Sequence, residues 1–490
     1  MKTGSHRFTF HGIPVNGAHM AGTTALAALP PGGERYDPEG YFDEGFADVG
    51  RPREHYAEVL ERLSETDLDE AVKVVRRTLL DLGCAFGAGE QREAFRVDVV
   101  PRILTPEEWV VLAAGLEQRV QALDAFMHDI HGARTIVKEG LIPERVITGA
   151  DYWEPELDEF AEPRIRVGMA GLDIVRTPTG QFQVLEDNLR TPSGLAYAFA
   201  ARRAVLPHAA AEDGSRPAPV DLEDAAIEAL GRVLRNAAPN GRAGTDSARV
   251  VLLTDGVRNT AHWEHRILAD KLGIPLVTLE TLDLDRTDVV YRRTDDDRLN
   301  DVHGRRTAVG RALEQHLRDG RVAVINALGN GVADDKLVHA HVEDMVRFYL
   351  HEEPLICSVP TYDLAEPAKL DEVLDRIGEM VVKPRSAYGG EGVFVGPTAT
   401  PQQRDAIAAT VRAAPEQWIA QETVFFSRHP TVIDGELQPR HVDLRAFVTF
   451  DGERAQAIPG GLSRVAYERG NLVVNSSQGG GGKDTWVLER

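Results

Sequence analysis

Between Pro106 and Ile130, apolar residues recur at Leu112, Leu116, Val120, Leu123, Met127 and Ile130, the three-and-four spacing of one buried helical face. Thr105, Pro106 and Glu108 place an N-cap, a first-turn proline and a capping-box carboxylate just before that run, and Gly132 ends it. On this pattern residues 1–150 read as a mainly helical region. From about Arg164 the period drops to two. Leu172 to Arg176 and Gln181 to Asn188 read as the strands of a hairpin turned at Thr177-Pro178-Thr179-Gly180. A linker rich in Ala, Pro and charge at about 207–222 leads to a helix over 223–237. Four short apolar strands follow, Val250 to Thr254, Pro275 to Leu279, Val289 to Tyr291 and Val322 to Asn326, alternating with helices, which predicts a small parallel α/β domain. From Asp334 the pattern is α+β: a helix over 335–350, a strand Met380 to Lys383, a glycine-rich loop, a strand Phe394 to Gly396 and a hairpin turned at Asp451-Gly452. No internal repeat is visible.

The first hairpin has a countable register. With 177–180 as its loop, Arg176 faces Gln181 and Asp173 faces Val184, so Glu186 sits diagonal to Asp173, roughly 7 Å away at the backbone. Asp173, Glu186 and Asn188 then share one face. Phe182 and Val184 are expected on that face too, so it is buried and its carboxylates need a partner. Two carboxylates and an amide suit Mg²⁺, which takes few protein oxygens and completes its shell with water and substrate phosphate. Solvated strand ends are the plain alternative for any Glu-x-Asn taken alone.

A second constellation lies at Val381-Val382-Lys383-Pro384, where a strand runs into Arg385-Ser386-Ala387-Tyr388-Gly389-Gly390-Glu391-Gly392. Lys383 can meet phosphate as a point charge, and glycines let backbone N–H groups approach phosphate oxygens. The lysine precedes the glycines, so this is not the GxxxxGK[ST] of a P-loop fold. A mobile hairpin with a surface lysine is its plain alternative.

The chain has 490 residues, enough for two or three domains. No stretch approaches the ~18 apolar residues of a membrane span, and no basic-then-apolar signal layout opens the chain. A soluble cytoplasmic protein is expected, without a membrane partner. Cys84 and Cys357 stand in unrelated contexts and suggest neither a disulfide framework nor a cysteine metal site. A formal charge of −22 with no basic patch excludes nucleic acid as a partner. His262, Glu264 and His265, like His339 and His341, lack a matching third ligand and are read as structural or solvated.

Taken together, these residues resemble the ATP-grasp superfamily, in which a strand lysine and a glycine loop clamp ATP against a lobe carrying a D…E-x-N metal motif. Asp173, Glu186 and Asn188 are similar to that motif in glutathione synthetases and D-alanine-D-alanine ligases, including the thirteen-then-two spacing. Here the motif precedes Lys383 instead of following it. Joining HVDLRAFVTFDG…SSQGGGG to VGMAGLDIV…LEDNLRTPSG restores the usual order, so the chain resembles the circularly permuted type 2 ATP-grasp proteins. The implied fold class is α/β and α+β: a helical region 1–150, a permuted segment with the metal hairpin 151–206, a pre-ATP-grasp α/β domain 223–333, and ATP-grasp lobes with a glycine-rich lid 334–490.

The resemblance implies ATP as cofactor with two Mg²⁺ ions, or Mn²⁺, held by Asp173, Glu186 and Asn188. It implies Lys336 and Lys383 as nucleotide lysines, and Ser386, Gly389, Gly390 and Gly392 as the phosphate lid. Glu422 is implied beside adenine and ribose, Arg445 and Arg464 facing phosphate, and Arg190 at an acyl phosphate or a substrate carboxylate. The implied activity is an ATP-dependent carboxylate–amine ligase, joining a small-molecule or peptide carboxylate to an amine through an acyl phosphate. A phosphotransferase and a silent nucleotide-binding interaction protein are the alternatives. Gly479 to Gly482 are expected beside the hairpin, shaping the acceptor site. A homo-oligomer or a partner encoded nearby is left open, as is the role of residues 1–90.

Overall fold

The strand Met169–Arg176 lies antiparallel on Glu436–Phe450, with Arg445 opposite Asp173 and Leu444 opposite Ile174. Chain segments more than 250 residues apart in sequence thus form the centre of one sheet, the neighbourhood that the spliced order requires. The computed structural model describes residues 28–86, 93–160, 162–210, 218–239, 242–245, 247–300, 305–386, 392–472, 474 and 480–489. Its nine-stranded sheet runs from Cys357–Ser358 through Phe182–Asn188, Met169–Arg176, Glu436–Phe450, Leu462–Val465 and Gly481–Val487 to Val97–Leu104. Arg428–Ile433 and Ala455–Ala457 also pair with Glu436–Phe450.

Each face of this sheet is buried. Val99, Phe447, Leu462 and Trp486 pack under the helices Leu68–Asp81, Leu195–Ala209 and Leu222–Asn236. Leu172, Ile174, Val184, Leu444 and Val448 pack on the opposite side under Pro106–Ile130, whose Thr105 capping box forms as expected. The strand Val97–Leu104 departs from the helical reading of residues 1–150. All eight of its residues are buried, so it has no alternation to betray it. Its two charges are matched internally: Lys483 pairs with Asp98, and Arg102 donates to Glu44 at 2.7 Å.

Glu44 also accepts from Arg176 at 3.0 Å and Ser427 at 2.6 Å while only 2% exposed. It fastens the segment around Glu44 to the turn end of the hairpin. A buried carboxylate with three donors is costly to break and holds that junction in one arrangement.

Two smaller sheets flank the large one. The strands Ala323–Ile325, Val289–Arg292, Val250–Leu253 and Leu276–Val277 form, in that order, the parallel sheet expected from their apolar runs. Thr361–Asp363, Trp418–Glu422, Met380–Pro384 and Phe394–Val395 form an antiparallel sheet with its own core around Met380, Val382, Val411 and Ala420. The helix expected over 335–350 is divided into Lys336–His339, Val342–Met345 and a π turn Val346–Leu350; nothing in the local sequence explains the division. Among the described residues no helix is long and apolar enough to cross a membrane.

Candidate active site

The hairpin turns through five residues, not four. Thr177 N–H donates to Gln181 O at 2.8 Å, Gly180 takes φ +83, and Arg176 faces Phe182. A bulge at Leu185 then places Asp173 directly opposite Glu186, and Gly171 opposite Asn188. Val184 consequently faces Ile174 on the core side, which corrects the expectation that it shares the carboxylate face. The carboxylate pair and Asn188 still share a face, with Cβ atoms of the opposed pair about 4.5–5.5 Å apart as such pairs are.

Asp173 is 2% exposed, and its two oxygens accept from Arg445 Nε at 2.7 Å and Nη2 at 2.8 Å, and from Arg464 Nη2 at 2.8 Å. Burial alone would raise this carboxyl, but the two guanidiniums hold it at about 2. Arg464 in turn is bound to Asp443, its direct cross-strand neighbour. It is a buried member of this ion cluster, not a residue facing the cleft, whereas Arg445 reaches the cleft wall and donates to Ser193 O at 3.3 Å.

Lys336 begins the helix Lys336–His339, capped by Asp335, and its Nζ lies 2.9 Å from Glu186 Oε1. Arg385, just past the Lys383 strand, pairs with Asp335 at 3.0 Å, and its carbonyl accepts from Lys336 N at 3.3 Å. These contacts tie the two lysine-bearing elements together. Lys383 Nζ donates to Gln421 Oε1 at 2.6 Å, and Gln421 Nε2 donates to Leu185 O at 3.3 Å, so one amide bridges this lysine to the hairpin. Burial pushes Lys383 down to about 8, against the pull of Glu186 and helped by the charge of Lys336.

Glu422 does not face the hairpin. Strand alternation puts Gln421 on that side and Glu422 on the helix-covered side, where Arg376 holds its carboxylate at 3.0 and 2.9 Å and Tyr362 at 2.6 Å. Gly392 has φ +71 and would set a Cβ 2.9 Å from Pro384 Cγ; Gly389 and Gly390 lie outside the described residues. Gly481 and Gly482 pair with Val465 and Arg464 in a strand separated from the hairpin by two others, which corrects their expected place, and Gly479 lies outside the described residues.

A cavity of about 270 Å³ opens beside the hairpin, and Glu186, Asn188, Arg190, Lys336, Ser386 and Arg445 all line it. Sequence reasoning missed Tyr152, Asp334 and Arg293, which line it as well. The ring of Tyr152 lies 4.0 Å under the Arg190 guanidinium. Asp334 accepts from Leu189 and Arg190 backbone N–H groups, and burial raises it to about 7 despite Arg190 beside it. Its only sequence signal is its place two residues before Lys336.

A family model described as circularly permuted ATP-grasp type 2 matches residues 101–466. The chain belongs to that family. The chain is 42% identical over 477 residues to a Frankia casuarinae protein named "Putative glutamate--cysteine ligase 2-2", covering 93% of this chain and 55% of that one. A protein of similar name from Frankia alni is 40% identical and covered over 58% of its length, so the chain spans little more than half of these two relatives. An uncharacterized protein of Synechocystis sp. is 38% identical, with 93% of this chain and 98% of that protein covered. Among solved structures, a glutathione synthetase-like effector of Globodera pallida shares the fold at a TM-score of 0.53 and 12% identity, over 86% of this chain and 97% of that one.

The residues of this ATP-grasp cleft fit a hard divalent cation. Asn188 lines the cavity one step of two beyond Glu186 on the carboxylate face, where its amide oxygen is the atom a cation would take. Among the described residues no three or more His, Cys, Asp or Glu side chains cluster as a metal site. A pair of carboxylates and one amide leaves the remaining positions to water and phosphate, as Mg²⁺ requires.

Behind the hairpin, Asp187 binds Arg119 through two 2.7 Å contacts and His339 Nδ1 at 2.6 Å. Arg119 also donates to Ser358 at 3.0 Å. This buried network joins the strand of Glu186 to the helix of Lys336. Glu264, read as structural or solvated, is buried and caps the helix Leu195–Ala209 by accepting from Gly194 and Ala196 N–H groups.

Proposed function

We propose that the chain is an ATP-dependent carboxylate–amine ligase. The observation that carries this reading is the meeting of Glu186 and Asn188 with Lys336 on one cavity, with Lys383 bridged to the same hairpin through Gln421. Carboxylates for a cation and lysines for phosphate at one place are what a nucleoside triphosphate needs. No Ser, Cys or His nucleophile is required by the chemistry.

In this reading a substrate carboxylate oxygen attacks the γ-phosphorus, the bond to the bridging β–γ oxygen breaks, and ADP leaves. An amine then attacks the acyl carbon, losing a proton as phosphate departs. Mg²⁺ or Mn²⁺, when bound, neutralises phosphate charge. Asp173, Glu186 and Asn188 would hold it. Lys336, Lys383 and Arg445 would bind and orient phosphate oxygens in a site partly withdrawn from water, where fixed charges act most strongly. Ser386, Gly389, Gly390 and Gly392 would supply the phosphate loop, and Arg190 would hold an acyl phosphate or a carboxylate. The names of the two Frankia relatives put glutamate and cysteine first among acids and amines to test.

The deciding experiment is ADP release measured over a panel of acids with and without amines. Release that needs an acid and is accelerated by an amine, with a new amide in the product, is expected. ADP release to a hydroxyl acceptor with no response to any amine would instead mark a phosphotransferase.

A further inference from the structure

We propose that Gln421 is a positioning residue of this cleft: its one amide holds the Leu185 bulge that sets Glu186 opposite Asp173, and aims Lys383 without neutralising it. That role rests on the reading of the cleft as a nucleotide site.

Gln421 lies in Trp418–Glu422, an inner strand of the antiparallel sheet, with Thr361 directly opposite on one side and Val381 on the other. Lys383, two residues past Val381, is its diagonal neighbour on the same face. Gln421 is 2% exposed. Its Oε1 accepts from Lys383 Nζ at 2.6 Å, while Nε2 donates to Thr361 Oγ1 at 3.0 Å and to Leu185 O at 3.3 Å. An ammonium can only donate and a peptide carbonyl can only accept, so these partners admit one orientation of the amide. A glutamate in its place would have no N–H for Leu185 O.

Leu185 is the residue that the hairpin register skips, since Val184 pairs with Ile174 and Glu186 with Asp173. A bulged residue leaves the ladder, and its carbonyl needs another donor. Gln421 supplies that donor. A second link grips the residue just before the bulge, because Thr361 Oγ1 donates to Val359 O at 2.8 Å and Val359 N donates to Val184 O at 2.8 Å. Loss of the bulge would slip the register by one residue and turn Glu186 and Asn188 away from Asp173. The two lysines of the cleft are held differently. Lys336 meets the Glu186 carboxylate at 2.9 Å, whereas the amide that holds Lys383 leaves its charge to phosphate.

The test is calorimetric titration of the full chain with Mg·AMP-PNP in buffers of different ionisation enthalpy, comparing the natural chain with Gln421→Met and Gln421→Glu. The first keeps the volume and loses all three hydrogen bonds; the second keeps the shape, loses both N–H groups and sets a carboxylate against Lys383. Each should weaken Mg·AMP-PNP at least tenfold. Gln421→Met should also weaken Mn²⁺ binding without nucleotide at least threefold, read by electron paramagnetic resonance, because the bulge loses its donor. Proton uptake at pH 8 separates positioning from a mere loss of packing. Burial sets Lys383 near 8 in the field of Glu186, Lys336, Asp173 and Arg464, none of which either variant changes. Uptake should vanish in Gln421→Glu, whose carboxylate keeps the ammonium charged before nucleotide arrives, and rise in Gln421→Met, where the ammonium has lost its acceptor. Affinities within threefold of the natural chain, or uptake that moves the same way in both variants, would overturn the role of Gln421. If Gln421→Met does not fold, the loss or persistence of uptake in the isosteric Gln421→Glu decides alone. Failure of the natural chain to bind AMP-PNP would overturn the nucleotide reading instead.

Discussion

Lys336 Nζ and Glu186 Oε1 lie 2.9 Å apart, so a lysine suited to phosphate and a carboxylate suited to metal neutralise each other across the cleft. Burial would raise the Glu186 carboxyl, yet Lys336 outweighs it and holds it below the usual range. A cation arriving alone must compete with an ammonium already in place. Phosphate arriving with the cation gives that ammonium a new partner. Lys336→Met should therefore strengthen Mn²⁺ binding in the absence of nucleotide by about tenfold, roughly 1.4 kcal/mol, while weakening Mg·AMP-PNP. Mn²⁺ titration followed by electron paramagnetic resonance checks this, and unchanged Mn²⁺ affinity would count against the competition.

Glu186→Gln keeps the shape of the side chain and removes its charge. ADP formation should fall by at least about 10²-fold, the scale of losing one preorganised electrostatic contact. The melting temperature should move little, because Glu186 is partly exposed and Lys336 can reach water. Wild-type turnover in this variant would remove Glu186 from the proposed chemistry.

Lys383 titrates near 8 against a usual value of 10.5, chiefly through burial. Between those values the unfolded chain holds a proton that the folded chain has released, so this group's contribution to stability rises with pH across the window. Nucleotide affinity should run the other way. Phosphate favours the charged lysine, so AMP-PNP should bind with uptake of about half a proton at pH 8 and weaken as pH rises further. Calorimetry in buffers of different ionisation enthalpy measures the uptake, and Lys383→Arg should abolish it.

The carboxylate face was legible in the sequence through two shifts that offset one another. The loop is one residue longer than the four expected, and the Leu185 bulge adds one more, so Glu186 and Asn188 regain the side predicted for them while Val184 does not. Nothing in the residue types marks such a bulge. The parallel sheet was legible because each of its strands is a short apolar run between helices. Val97–Leu104 was not, since burial of every residue erases periodicity. The Arg376 and Tyr362 partners of Glu422 were not legible, because its side depends on which face of its sheet meets the hairpin, a tertiary fact. Arg293 carried no local signal beyond closing a strand, and only the packing of Glu264 against two backbone amides shows why a buried guanidinium is tolerated there.

Asp173 presents the inverse case to Glu186, since two arginines occupy it and hold it at about 2. Its contribution to stability is present above the ordinary carboxyl range and is lost as pH falls toward 2. Asp173→Asn should cost about 3–5 kcal/mol at neutral pH, because Arg445 and Arg464 would remain without their shared charge. Thermal unfolding at pH 7 measures the loss, and a cost below about 1 kcal/mol would mean that Asp443 alone satisfies the pair.

The network behind the hairpin predicts a coupling between stability and nucleotide binding. Asp187 is buried and held well below the usual carboxylate range: burial opposes this, but Arg119 and His339 prevail. Arg119→Ala removes its main counter-charge and should destabilise the chain by about 3–5 kcal/mol. Arg119→Met with Asp187→Leu removes both charges and should cost less than the single change, since no unpaired charge stays buried. The double variant severs the strand carrying Glu186 from the helix carrying Lys336, whereas the single change leaves the Asp187–His339 contact in place, and none of these residues lines the cavity. AMP-PNP affinity should therefore fall in the double variant even where its melting temperature is close to that of the natural chain. Affinity that follows melting temperature alone would show that the network holds the fold without setting the distance between Glu186 and Lys336.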